Sequence, residues 1–114
     1  MKRLLALIGA ATCLGAAPAP VDLSLLLAEK PAPTLAAYRL FRDSGGREPN
    51  GGLTPYDLNT PLFTDYAEKQ RYLYLPPGKS ARYRAKGMLD LPIGATLVKT
   101  FAYPADFRRP DADV

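Results

Sequence analysis

The chain has no histidine and no tryptophan, and its single cysteine is Cys13, near the start of its 114 residues. Each absence removes chemistry. Without histidine there is no Ser-His-Asp triad and no Cys/His nucleophilic dyad, and zinc sites of the Cys/His type are excluded as well. Without a Cys-x-x-Cys-His segment there is no point of covalent haem attachment. A lone thiol makes no disulfide within the chain, so burial of a core has to hold the fold together. Long apolar runs are also missing: the stretch at 4–11 is shorter than the ~20 residues that span a bilayer, so no stable membrane span is expected. Charge of one sign is scarce too. There are 15 basic residues against 11 acidic ones, and two of the basic ones, Lys2 and Arg3, sit at the extreme N-terminus. The remainder is too near neutral to recruit nucleic acid or an anionic membrane.

What is present begins with a leader. Lys2 and Arg3 precede the apolar run Leu4-Leu5-Ala6-Leu7-Ile8, and Gly15-Ala16-Ala17 supplies small residues where a peptidase cuts. This is the order of a secretory signal peptide, expected over 1–17 with cleavage near Ala16, which places the mature protein in the periplasm or outside the cell. Thr12 stands before Cys13 where lipoprotein processing uses a smaller residue, which argues against lipidation. A proline-rich lead-in, 18–33, comes next, and a β-rich domain is expected over 34–114.

Twelve prolines, nine glycines and seven tyrosines suit a loop-rich fold. The expected class is mainly β with one or two short helices, with α+β as the alternative, forming a small and incomplete antiparallel domain. Residues 22–30 fit a turn of helix or an extended segment. Thr34 is a plausible N-cap for a two-turn helix over 35–41, with Leu35, Tyr38 and Phe41 on one face. Residues 44–52 lack the Gly-Lys-Ser/Thr ending of a phosphate loop and read as a flexible connector. Asp65 and Glu68 have the spacing of a capping box, so one helical turn is expected before a strand at 71–75. Pro76-Pro77-Gly78-Lys79 turns that strand into a return at 80–84, and a further short segment follows at 88–91. The longest β run is 95–103. Both of its faces are mostly apolar or β-branched, which predicts a strand covered on both sides.

No catalytic or metal-binding constellation is visible. Asp57, Asn59 and Asp65 bear oxygen ligands but lack the alternation and terminal glutamate of a calcium loop, and turn formation accounts for them. Asp57 with Asp65 as a general acid and base requires a fixed separation that sequence does not supply. Arg82, Arg84 and Lys86 at period two, after Lys79 and around Tyr83, make a stripe that fits either a solvated strand face or a grip on a polyanion. Lys99, on an otherwise apolar face, either reaches water at a sheet edge or pairs with Asp57, Asp65 or Asp90.

The blocks Pro55-Tyr56-Asp57-Leu58-Asn59-Thr60-Pro61-Leu62-Phe63-Thr64-Asp65-Tyr66-Ala67-Glu68-Lys69, Tyr74-Leu75-Pro76-Pro77-Gly78 and Leu91-Pro92-Ile93-Gly94-Ala95-Thr96-Leu97-Val98-Lys99-Thr100-Phe101-Ala102-Tyr103-Pro104 resemble the N-terminal region of an exported bacterial family whose members are described as di-haem c-type cytochromes or as hypothetical proteins. The resemblance extends over about 34–109. It implies a β-rich region of an exported redox protein, with haem held in a more C-terminal part and by no residue of this sequence. The implied partner is that haem-bearing part, or another exported protein, and the ending at Val114 then reads as that of a fragment. The competing expectation is a small periplasmic module that binds sugar or polyanion through the tyrosines and the basic stripe.

The leader yields the first prediction: N-terminal sequencing of the exported product should begin near Ala16. Intact Met1 in a cytoplasmic fraction would show that the segment is not a signal peptide.

Overall fold

The computed structural model describes residues 17–109, so Cys13, the expected cleavage site and residues 110–114 lie outside the described residues. Three strands, β1 (Leu53–Pro55), β2 (Glu68–Tyr74) and β3 (Thr96–Ala102), form one antiparallel sheet in that order. Among the described residues, helix is confined to the single turn α1 (Leu23–Leu26) and a 3₁₀ turn, Leu35–Tyr38. The protein is therefore a small, mainly β domain.

Strand alternation decides which side chains meet. Leu53 pairs with Tyr74 and Pro55 with Tyr72, while across the other ladder Tyr72 faces Val98 and Tyr74 faces Thr96. These share one face of the sheet because residues two apart point the same way. On that face lies the core of Val21, Leu40, Leu53, Tyr72 and Tyr74, with Leu23, Leu26, Tyr38, Phe41 and Val98 packed against it. Phe41 meets Tyr72 edge-on, ring centroids 5.6 Å apart, an arrangement that sets a positive ring edge against a negative face. Val21, within the stretch read as a lead-in, is thus part of the core.

α1 starts where Asp22 accepts the Leu25 N–H, and the same carboxylate takes the Ser24 hydroxyl and the Arg39 guanidinium. The Ser24 hydroxyl and then the Leu25 N–H hold the Asp22 carboxyl below the usual carboxylate range. Gly94 brings the loop before β3 against α1 and the end of β2. Its φ is +88°, and a Cβ there would sit 2.9 Å from Leu23 Cδ1 and 3.0 Å from Pro76 Cγ, so both backbone and space demand glycine.

Several local expectations give way to longer-range pairing. The helix expected over 35–41 stops as a 3₁₀ turn at Tyr38, Thr34 makes no capping bond, and Arg39 takes a left-handed φ of 54°. Its second turn is lost because Leu40 O accepts the Asn50 N–H and the Arg42 N–H goes to Glu48 O. For the same reason 44–52 is no simple connector. Phe41 bridges Pro49, and Asp43 accepts the N–H groups of Gly45, Arg47 and Glu48. The Glu48 N–H is the leading cause of a lowered Asp43 pKa.

The capping-box turn is also absent. Asp65 and Tyr66 have φ of 41° and 62°, and the Ala67 N–H closes onto Thr64 O, which makes a tight reverse turn leading into β2. Pro76–Lys79 does turn, with Lys79 N–H donating to Pro76 O, yet 80–84 is no return strand. β2 already has β1 on one side and β3 on the other, so no edge is left for it. Residues 80–84 and 88–91 instead share one isolated bridge, Arg82 with Asp90. Finally, β3 is an edge strand open on one side, with Leu97 58% and Phe101 49% exposed, and is not covered on both faces.

Asn50 has the greatest leverage in this arrangement. It is buried, and its amide nitrogen donates to both Ala19 O and Arg39 O at 2.8 Å. Asn50→Ala should leave both carbonyls short of a donor and cost about 1 to 3 kcal/mol, the range for a buried group deprived of its partner. Urea unfolding should show the midpoint falling at unchanged slope; an unaltered midpoint would refute the assignment.

Candidate functional site

The second face of the sheet carries the charge. Three cross-strand rows lie on it: Leu73 opposite Leu97, Arg71 opposite Lys99, and Lys69 opposite Phe101. Two cations directly opposed in an antiparallel pair repel, so the middle row is unfavourable taken alone. Asp57 offsets part of this. Arg71 donates from Nη1 to Asp57 Oδ1 at 3.1 Å, the guanidinium side chain 6% exposed and the carboxylate 83% exposed. The Arg71 Nε is buried and has no partner. Lys99 is exposed at the sheet edge, its ammonium 5.4 Å from the Phe101 ring centroid, and pairs with no acid among the described residues. Of the two readings of Lys99, the structure has the edge lysine reaching water.

The loop 56–66 crosses this end of the sheet. The Tyr56 N–H donates to Arg71 O, and Lys69 Nζ reaches the Leu62 carbonyl. Beyond it, Phe63, Tyr66 and Phe107 form an exposed aromatic chain with centroid separations of 5.1 and 6.4 Å. Asp65, at the apex of its turn, is exposed and enters no ion pair among the described residues. Asp57 and Asp65 thus have different surroundings: one neutralises Arg71 and the other faces solvent. No group of three or more acids, cysteines or histidines among the described residues could hold a metal ion.

Arg82, Arg84 and Lys86 do not form a strand face. Arg84 is engaged by Asp90 at 2.6 Å, and the Arg82 backbone exchanges hydrogen bonds with Asp90 at 2.9 and 3.0 Å. The cations that the fold does gather on this face are Lys69, Arg71, which pairs with Asp57, and Lys99, and only Lys99 was among the basic residues singled out from sequence. A signal was there: Lys69 and Arg71 alternate with Gln70, Tyr72 and Tyr74, so period two sends the two cations to one face of the strand and the tyrosines to the other.

A cleft of about 1100 Å³ opens beside β3, bounded by residues 96–101 on one side and by α1, the 3₁₀ turn and the loop 41–46 on the other. The arrangement offers a strand edge without a partner strand among the described residues, apolar side chains, and the charges of Glu29, Arg42, Asp43 and Lys99. Among the described residues no helix is long and apolar enough to cross a membrane. In comparisons with protein-family models, curated proteins and solved structures, none matches the chain.

The Asp57–Arg71 pair yields a prediction. Asp57→Ala leaves a buried guanidinium without its acid and should destabilise by about 1 to 3 kcal/mol, less than a fully buried pair because Asp57 is exposed. Arg71→Met, which removes the charge and keeps the stem, should be close to neutral. Adding Asp57→Ala to it should then cost almost nothing. Additive losses in this double-mutant cycle would show that the two residues do not act as a pair.

Proposed function

We propose that this chain is a non-catalytic, β-rich region of an exported redox protein of the c-type cytochrome kind, itself without haem ligands, whose sheet is completed by another polypeptide segment. The observation that carries the reading is the open β3 edge, with Leu97 and Phe101 about half exposed beside it. Apolar surface next to unpaired strand backbone is costly in an isolated domain and is ordinarily covered. The resemblance of the blocks at 55–69, 74–78 and 91–104 to the exported cytochrome-like family supplies the redox context, and the segment bearing haem is the partner it implies. The sugar- or polyanion-binding alternative draws less support, because its basic stripe lies in a loop with Arg84 held by Asp90.

Reading the transcript beyond codon 114 tests the proposal. A continuing or adjacent frame encoding Cys-x-x-Cys-His is expected, and its product, made in a host that matures c-type cytochromes, should co-elute with this chain as a haem-staining complex. A transcript with no such frame would overturn the redox reading.

A further inference from the structure

We propose that the open edge of β3 takes up an extended strand from another polypeptide, with an acidic side chain beside Lys99 and apolar side chains beside Leu97 and Phe101. This rests on the reading that another segment completes the sheet, and it specifies what that segment must carry.

The backbone comes first. β3 pairs with β2 along one side and has no strand partner on the other among the described residues. Alternate N–H and C=O groups therefore point outward, as on any antiparallel edge. The cleft follows this edge. All of 96–101 line it, and since successive side chains of a strand point to opposite faces, only the edge presents all six to one space. The facing wall includes Leu25, Leu35 and Phe41 together with Glu29, Arg42 and Asp43, so the slot has a hydrogen-bonding side along β3 and a mixed, partly apolar side across from it. The seven residues of β3 extend over ~23 Å at about 3.3 Å per residue, the length of a six- or seven-residue strand.

Charge then selects the occupant. Arg71 stands opposite Lys99, and among the described residues Arg71 has Asp57 whereas Lys99 has only the Phe101 ring. A fourth strand places its own residue next in that row. A carboxylate there relieves the repulsion between the two cations, and a lysine would put three cations in line. The neighbouring rows end in Leu97 and Phe101, which favour apolar partners. A second copy of β3 paired antiparallel about its middle would set the two Lys99 side chains against each other, so self-pairing is disfavoured.

The test uses the mature chain and two synthetic seven-residue peptides of alternating threonine and valine, the central valine replaced by glutamate in one and by lysine in the other. The glutamate peptide should slow hydrogen exchange at every second amide of 96–102 and bind about fivefold or more tightly than the lysine peptide. Lys99→Glu should reverse that order. Lys99→Gln, which removes only the charge from an exposed position, should abolish the preference without reversing it and keeps the test open if Lys99→Glu fails to fold. Protection elsewhere, no protection at all, an order indifferent to both substitutions, or dimerisation through β3 would overturn the proposal. Peptide uptake in a protein whose transcript has no haem-binding frame would refute the redox reading and leave the edge site standing.

Discussion

The fold depends on one buried amide. Asn50 spends every polar group it has: its N–H goes to Leu40 O, its C=O accepts from Leu53, its side-chain nitrogen donates to Ala19 O and Arg39 O, and its Oδ1 takes the Gly51 N–H. Three stretches distant in sequence are thereby fixed to one point. Each of them delivers a core residue, with Val21 two residues past Ala19, Leu40 next to Arg39, and Leu53 at the start of β1. Apolar burial supplies most of the free energy of such a core but little direction. The Asn50 hydrogen bonds supply the direction, since a buried carbonyl left without a donor costs about 1 to 3 kcal/mol and so excludes neighbouring arrangements.

This also explains what could be read from sequence and what could not. β2 and β3 were legible because Gln70, Tyr72 and Tyr74 alternate with Lys69, Arg71 and Leu73, and because 96–102 is rich in β-branched and aromatic residues. The turn at Pro76–Lys79 was legible from proline and glycine. The second turn of the expected helix was not, for its spacing of Leu35, Tyr38 and Phe41 is sound; the bonds from Asn50 and Glu48 to the same backbone outweigh a local preference of a few tenths of a kcal/mol per residue. β1 was missed for a similar reason. Three residues carrying a proline show no period, and they become a strand only because Tyr72 and Tyr74 are there to pair with.

The candidate site was harder to read still. Period two correctly groups Arg82, Arg84 and Lys86 if they lie in a strand, but strands need an edge to pair with, and both edges of β2 are occupied. Lys99 was recognisable as an exception on an apolar face. That it stands opposite Arg71 follows from a register set by residues around it, from Glu68 against Ala102 to Tyr74 against Thr96. A one-residue slip would have sent every one of these side chains to the opposite face.

That register carries a cost which the rest of the domain can ill absorb. Among the described residues no side chain is fully buried, the core rests on Val21, Leu40, Leu53, Tyr72 and Tyr74, and Leu97, Phe101 and Tyr103 on and just after the edge strand remain about half exposed. Net stabilities of small domains are a few kcal/mol to about 15 kcal/mol, so repulsion between Arg71 and Lys99 together with an uncovered edge is a substantial fraction of what the core provides. Both deficits are located on β3, and one strand laid along its edge would relieve both: backbone pairs form, apolar area is removed from water, and a carboxylate enters the cationic row. Any partner that binds only the folded sheet raises its stability by mass action. On the proposal made above, folding and association would be thermodynamically linked through a single strand, and the features that make β3 a poor edge for a solitary domain are those that would make it a selective one for a partner.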